Sequence, residues 1–175
     1  MEEPVLKNLY PQQMVSQWRI LPHKFQLNLW NFDVQAGRAA QKIFQGSFSK
    51  KKFNDSGSIK WAPRSAKSRY KHPLMVETGS LKNSIKWKLI GQNGATVSFF
   101  GQSKGVEIFT DPNGFGNAKR HKGFCYAAVH NAPFSAGTRT GHMASMPRRH
   151  FMGHSDLLTK KLKELSKVIF KGFPK

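Results

Sequence analysis

Ser84 to Phe99 reads SIKWKLIGQNGATVSF, and this stretch decides the fold class. Ile85, Trp87 and Leu89 alternate with Lys86 and Lys88, the period of two that sends successive side chains to opposite faces of a strand. Gln92-Asn93-Gly94 supplies a turn in which Asn-Gly tolerates positive φ, and Ala95, Val97 and Phe99 then alternate back. The pattern predicts an antiparallel hairpin.

Downstream, Val106 to Phe109 predicts a third strand closed by the turn Asp111-Pro112-Asn113-Gly114. Phe124 to Val129 predicts a fourth strand, or a strand that enters a short helix. Residues 113–123 read as a glycine-rich, basic, exposed loop, and 133–146 as a second irregular arm. Ser155 can cap a helix in which Leu158, Leu162, Leu165 and Ile169 form a stripe. Asp156 in its first turn and Lys167 and Lys171 near its end suit the helix dipole.

Upstream, Phe25, Leu29, Phe32, Ala36, Ala39, Ala40 and Ile43 recur at spacings of three and four, which predicts a core-facing helix. It should begin near Pro22 and stop near Gly46, with the basic run Lys50, Lys51, Lys52 close to its negative end. Met14, Trp18 and Leu21 predict a separate short helix or turn ahead of Pro22. Gly57, Pro63 and Pro73 break any regular pattern in the connector that follows, while Trp61 and Tyr70 should pin it to the core.

The expected architecture is one α+β domain over 1–175. Its parts are an N-terminal helix over 20–48, a basic connector arm over 49–77 and a sheet of about four antiparallel strands over 78–132. An arm over 133–154 and a C-terminal helix over 155–172 complete it, with long basic loops throughout. A chain of 175 residues with 38% hydrophobic content can build one such core. Cys125 is the only cysteine, which excludes an intramolecular disulfide framework and reads as an inert thiol among Phe124, Tyr126 and Val129. Neither a secretory leader nor an apolar run of about 18 residues is present, so a soluble protein with no membrane contact is expected.

Charge dominates the composition: 29 Lys and Arg stand against 9 Asp and Glu, formally +20. Such an excess implies a polyanionic or acidic partner, or a solvated basic face. Two clusters stand out, Lys50-Lys51-Lys52 and Lys119-Arg120-His121-Lys122, both read as partner-docking groups. Trp61, Arg64, Lys67, Arg69, Tyr70 and Lys71 could stack single-stranded bases, but no RNA-binding motif accompanies them.

Catalytic chemistry finds little footing. His121, His130, His142, His150 and His154 show no helical metal-ligand spacing, and no second cysteine exists for a zinc knuckle. A two-metal nuclease needs converging carboxylates, whereas Glu107 and Asp111 sit on a strand and a turn. No Gly-x-Ser-x-Gly elbow is present, and Gly114-Phe115-Gly116 lacks the strand and helix of a phosphate loop. The expectation is a non-enzyme with no cofactor and no metal.

Two motifs remain. One is Thr78, Gly79, Leu81, Ser84 and Ile85, a "TG-x-L-x-x-SI" turn into a strand. The other is Tyr126, Ala127 and His130 followed by Pro147, Arg149, Phe151 and Gly153, "YA-x-x-H" and then "P-x-R-x-F-x-G" before the last helix. In this order they resemble the signatures of the virion-morphogenesis (neck, or tail-completion) family of tailed bacteriophages, over roughly residues 20 to 172. The chain departs from that pattern at Ala132-Pro133, where a glycine turn is usual, and at Arg149-His150-Phe151, where Arg-Pro-Phe is usual. The resemblance implies a virion component made in the host cytoplasm, a homo-oligomeric ring of six subunits joining the tail tube protein to the head-side connector or stopper. The motif residues would then be structural or interface positions, with passing DNA contact possible. Within the late motif, Arg149 could pair with a neighbouring subunit or staple the final helix to its own sheet. The rivals are a basic DNA-binding or packaging accessory protein and a small metal-dependent nuclease.

Overall fold

The structure is a computed structural model, which describes residues 11–58, 60–64, 71, 73–76, 79–91, 104–111 and 147–173. Its elements are α1 (Pro11–Lys50), the single turn α2 (Ser80–Asn83), β1 (Ile85–Leu89), β2 (Val106–Thr110) and α3 (Asp156–Leu165). A 3-10 turn over Ser166–Val168 follows α3. The class is mixed α+β.

α1 corrects two expected boundaries. Pro22 lies inside the helix instead of starting it, so the Met14–Leu21 stretch continues into the main helix. The proline removes one intrahelical N–H, and the helical turns on both sides carry it through. Gly46 does not stop the helix either, because Ser47 and Phe48 are helical and buried beyond it. The stop comes at Lys51, whose φ of 51 is left-handed. Lys52 N–H then donates to the Ser47 carbonyl at 3.2 Å, the six-to-one closure that ends many helices with glycine in the left-handed place.

β1 and β2 pair antiparallel. Asp111 N–H donates to Ser84 O at 2.7 Å at one end, and Ile90 N–H donates to Gly105 O at 2.9 Å at the other. That register sets Lys88 opposite Glu107, and their side chains form an ion pair of 2.9 Å. Among the described residues the sheet therefore has two strands where about four were expected. The hairpin return Ala95–Phe99 and the strand Phe124–Val129 lie outside the described residues, as do 113–123 and 133–146. The connector also differs from a long basic loop where it is described, since Phe53, Asn54, Trp61 and Met75 are all buried. Apolar residues placed among the lysines fold that segment back into the core.

The chain sorts into two compact units, one of Met1–Gly37, Lys88–Glu107 and Lys161–Lys175, the other of Arg38–Trp87 and Ile108–Lys160. In the first, Phe25 meets Phe170 and Phe173 with ring centroids 6.4 and 6.2 Å apart. Polar side chains of α1 satisfy carbonyls of the chain end there. Asn28 donates to Ile169 O at 3.0 Å and Lys171 O at 3.1 Å, and Lys24 donates to Gly172 O at 2.8 Å. The α-helical part of the C-terminal segment stops at Leu165, not near 172, and none of Leu158, Leu162, Leu165 or Ile169 is fully buried. Among the described residues no helix is long and apolar enough to cross a membrane.

The second unit holds the larger core: Ala40, Phe44 and Phe48 from α1 pack with Phe53, Trp61, Met75, Leu81, Ile85 and Phe151. The amphipathic period of α1 places its three residues on one face. Gln41 Nε2 to Ile85 O (2.7 Å) and Gln45 Nε2 to Lys82 O (3.3 Å) tie the same helix to α2 and β1.

Candidate functional site

The late motif occupies the C-terminal end of α1. Phe151 is 1% exposed and packs against Phe48 at 5.3 Å, while Phe48 meets Trp61 edge-on at 5.6 Å. The Trp61 indole N–H donates to the His150 carbonyl at 2.8 Å, and the His150 ring stacks on Phe53 at 4.2 Å. Burial holds His150 below the ordinary histidine value, with the nearby Arg148 charge acting in the same direction against a hydrogen bond to the Met152 backbone.

Arg149 is buried in its own chain, and its guanidinium reaches the Ala62 carbonyl at 3.4 Å. The bond ties the late motif to the connector after α1, and not the final helix to the sheet. Pro147, two residues before Arg149, is exposed. Gly153 has φ of 156, and a Cβ there would lie 2.6 Å from His150 Nε2, so the ring and the glycine need one another. A side chain would have to displace the histidine from Phe53.

The upstream motif enters the same core. Gly79 has φ of 76, a left-handed shape that glycine adopts without steric cost, and leads directly into α2. Leu81 and Ile85 are buried beside Phe151, and Ser84 Oγ donates to Leu81 O at 2.7 Å. The upstream motif and the late part of the second, separated by more than sixty positions of chain, thus share one apolar cluster. Thr78, Tyr126, Ala127, His130, Lys119, Arg120 and Lys122 lie outside the described residues.

A polar knot beneath the aromatic layer gave no signal in the sequence. Ser47 Oγ donates to Phe151 O at 3.4 Å and accepts from Asn54 N–H at 3.0 Å. Asn54 Nδ2 donates to Ile43 O at 2.8 Å, and its Oδ1 accepts from Lys50 Nζ at 2.6 Å. Orphan carbonyls at a helix end need such donors. Asp55, counted only as one of few acids, does a second job. Its carboxylate accepts the backbone N–H of Asp156 and of Leu157, both at 3.1 Å, at the start of α3. Ser155 caps the same helix as expected, accepting from Leu158 N–H at 3.2 Å. Burial raises the Asp55 carboxyl, but these hydrogen bonds outweigh it and hold the group below its ordinary value.

The basic run is shaped by the same turn. Lys50 bonds Asn54, Lys51 carries the left-handed backbone, and Lys52 forms an isolated antiparallel bridge with Lys60. Trp61 N–H donates to Lys51 O at 2.7 Å and fixes that pairing. Among the described residues no group of His, Cys, Asp or Glu is placed to hold a metal ion. What this arrangement offers chemically is a hydrogen-bonded turn that carries Lys50, Lys51, Lys52 and Lys60. Comparison with family models, with curated proteins and with solved structures finds no match for this chain.

Proposed function

We propose that this chain is a structural neck or tail-completion protein of a tailed bacteriophage, forming a ring that joins the tail tube to the head-side connector or stopper. The observation that carries the reading is the convergence of the two motif halves: Leu81 and Ile85 from one and Phe151 from the other share a single core. Residues that recur together in a motif pair have a physical reason to do so when they pack on each other.

On this reading the ring has six copies, the protein resides in the virion after assembly in the host cytoplasm, and it carries out no catalysis. Strand edges and the arms over 50–77, 101–123 and 133–146 would supply the contacts between neighbours, since a strand edge left open in the monomer is a template for pairing. Negative-stain imaging of the purified protein tests the idea: closed rings support it, and single particles of about 20 kDa at all concentrations oppose it.

The net charge of +20 favours a second reading, a DNA-binding or packaging accessory protein. That protein would stay monomeric while binding duplex with steep salt dependence. Oligomeric state therefore separates the two readings.

A further inference from the structure

Lys52 and Lys60 face each other across an antiparallel bridge, with Lys51 held beside them in a left-handed conformation. Like charges opposite one another on paired strands are destabilising. The Trp61 N–H to Lys51 O and Lys52 N–H to Ser47 O hydrogen bonds fix the backbone around this pair. The nearest acid in sequence, Asp55, is turned toward the N–H groups of α3. Among the described residues no ion pair engages Lys51, Lys52 or Lys60. The negative end of α1 accounts for cations in its last turn, but Lys60 arrives from a different segment.

We propose that Lys51, Lys52 and Lys60 form a docking site for the phosphodiester backbone of duplex DNA. The chemistry of the patch selects this occupant. Specific protein partners are anchored by exposed aromatic and arginine side chains, and among the described residues the aromatics of this segment, Phe53 and Trp61, are spent inside the core. Lysines without an aromatic platform contact phosphates without reading sequence. The joining role proposed above provides the DNA, since a duplex must pass through a head–tail joint, so the inference builds on that reading. Its test does not depend on ring formation.

The experiment is fluorescence anisotropy with a labelled duplex of about 20 base pairs, titrated at several salt concentrations. The proteins are wild type, the triple variant Lys51→Asn/Lys52→Gln/Lys60→Gln, and a charge-matched control, Lys160→Gln/Lys163→Gln/Lys167→Gln. Asparagine is chosen at position 51 because it tolerates a left-handed backbone. Each phosphate contact contributes about 0.9 to the slope of log affinity against log salt, so the triple variant should lose about 2.7. The control should lose much less, and thermal melts should show all three proteins folded.

Equal losses in both variants, or no loss in the triple variant, would overturn the proposal. So would tighter binding of polyglutamate than of duplex through the same three lysines, which would assign the patch to an acidic protein. Light scattering on the same samples reports the ring separately: DNA binding through these lysines without rings keeps the site and removes the neck reading, and rings without such binding do the reverse.

Discussion

The Trp61 indole N–H donates to the His150 carbonyl at 2.8 Å, pinning the connector after α1 to the segment ahead of α3. Both partners are seated among aromatic rings, Trp61 against Phe48 and His150 against Phe53. Trp61→Phe keeps most of the packing and leaves the carbonyl without its donor, which should cost about 1 to 3 kcal/mol. Trp61→Ala should cost about 3 to 5 kcal/mol through the added cavity. Urea melts of the two variants measure the difference.

Arg149 is expected to act within its own chain. Its burial and its reach to Ala62 O imply that Arg149→Ala lowers the melting temperature, by an amount corresponding to about 1.5 to 3 kcal/mol. Arg149→Lys should recover little, because an ammonium cannot reproduce the planar fork. A normal melt combined with failed ring formation would move the arginine to a subunit interface.

Gly79→Val should cost about 1 to 3 kcal/mol, since φ of 76 is strained for a β-branched residue. Space is not the cause: an added Cβ would sit 3.4 Å from Asn83 Nδ2, a tight contact with a movable side chain. Gly79→Asn should therefore be the milder change. Equal melting temperatures for the Val and Asn variants would contradict a conformational origin.

Stability should depend on acid through Asp55. Its folded pKa lies below the ordinary 3.8, so its contribution is complete above that value and is lost as pH falls through the folded pKa. Asp55→Ala should lower the urea midpoint at neutral pH, and the gap to wild type should close below about pH 4. His150 acts at a higher pH. Its folded value is lowered from 6.5, so the unfolded chain takes up a proton first and stability falls as pH drops through 6.5, levelling off below the folded value. His150→Phe should flatten that slope.

Much of the framework was legible because it rests on periodicity and local chemistry. The stripe from Phe25 to Ile43, the alternation of Ile85 to Leu89 and the Ser155 cap each follow from neighbours a few residues away. What was not legible depends on distant partners. Pro22 and Gly46 read as helix boundaries, yet the packing of Phe44, Ser47 and Phe48 carries α1 to Lys50. Lysine in the left-handed position at 51 breaks the glycine rule and is held by Trp61 N–H, a contact no local pattern encodes. Asp55 as a cap for a helix a hundred residues later has no local sequence signature at all.

The neck reading stands on the proposed assembly of this chain into a ring. Multi-angle light scattering across a dilution series, read alongside negative-stain images of the same fractions, tests it most directly. A discrete species of about six chain masses is the expected result, with closed rings in the images and salt-sensitive assembly. A single species of one chain mass that persists at high concentration and at every salt concentration would contradict it.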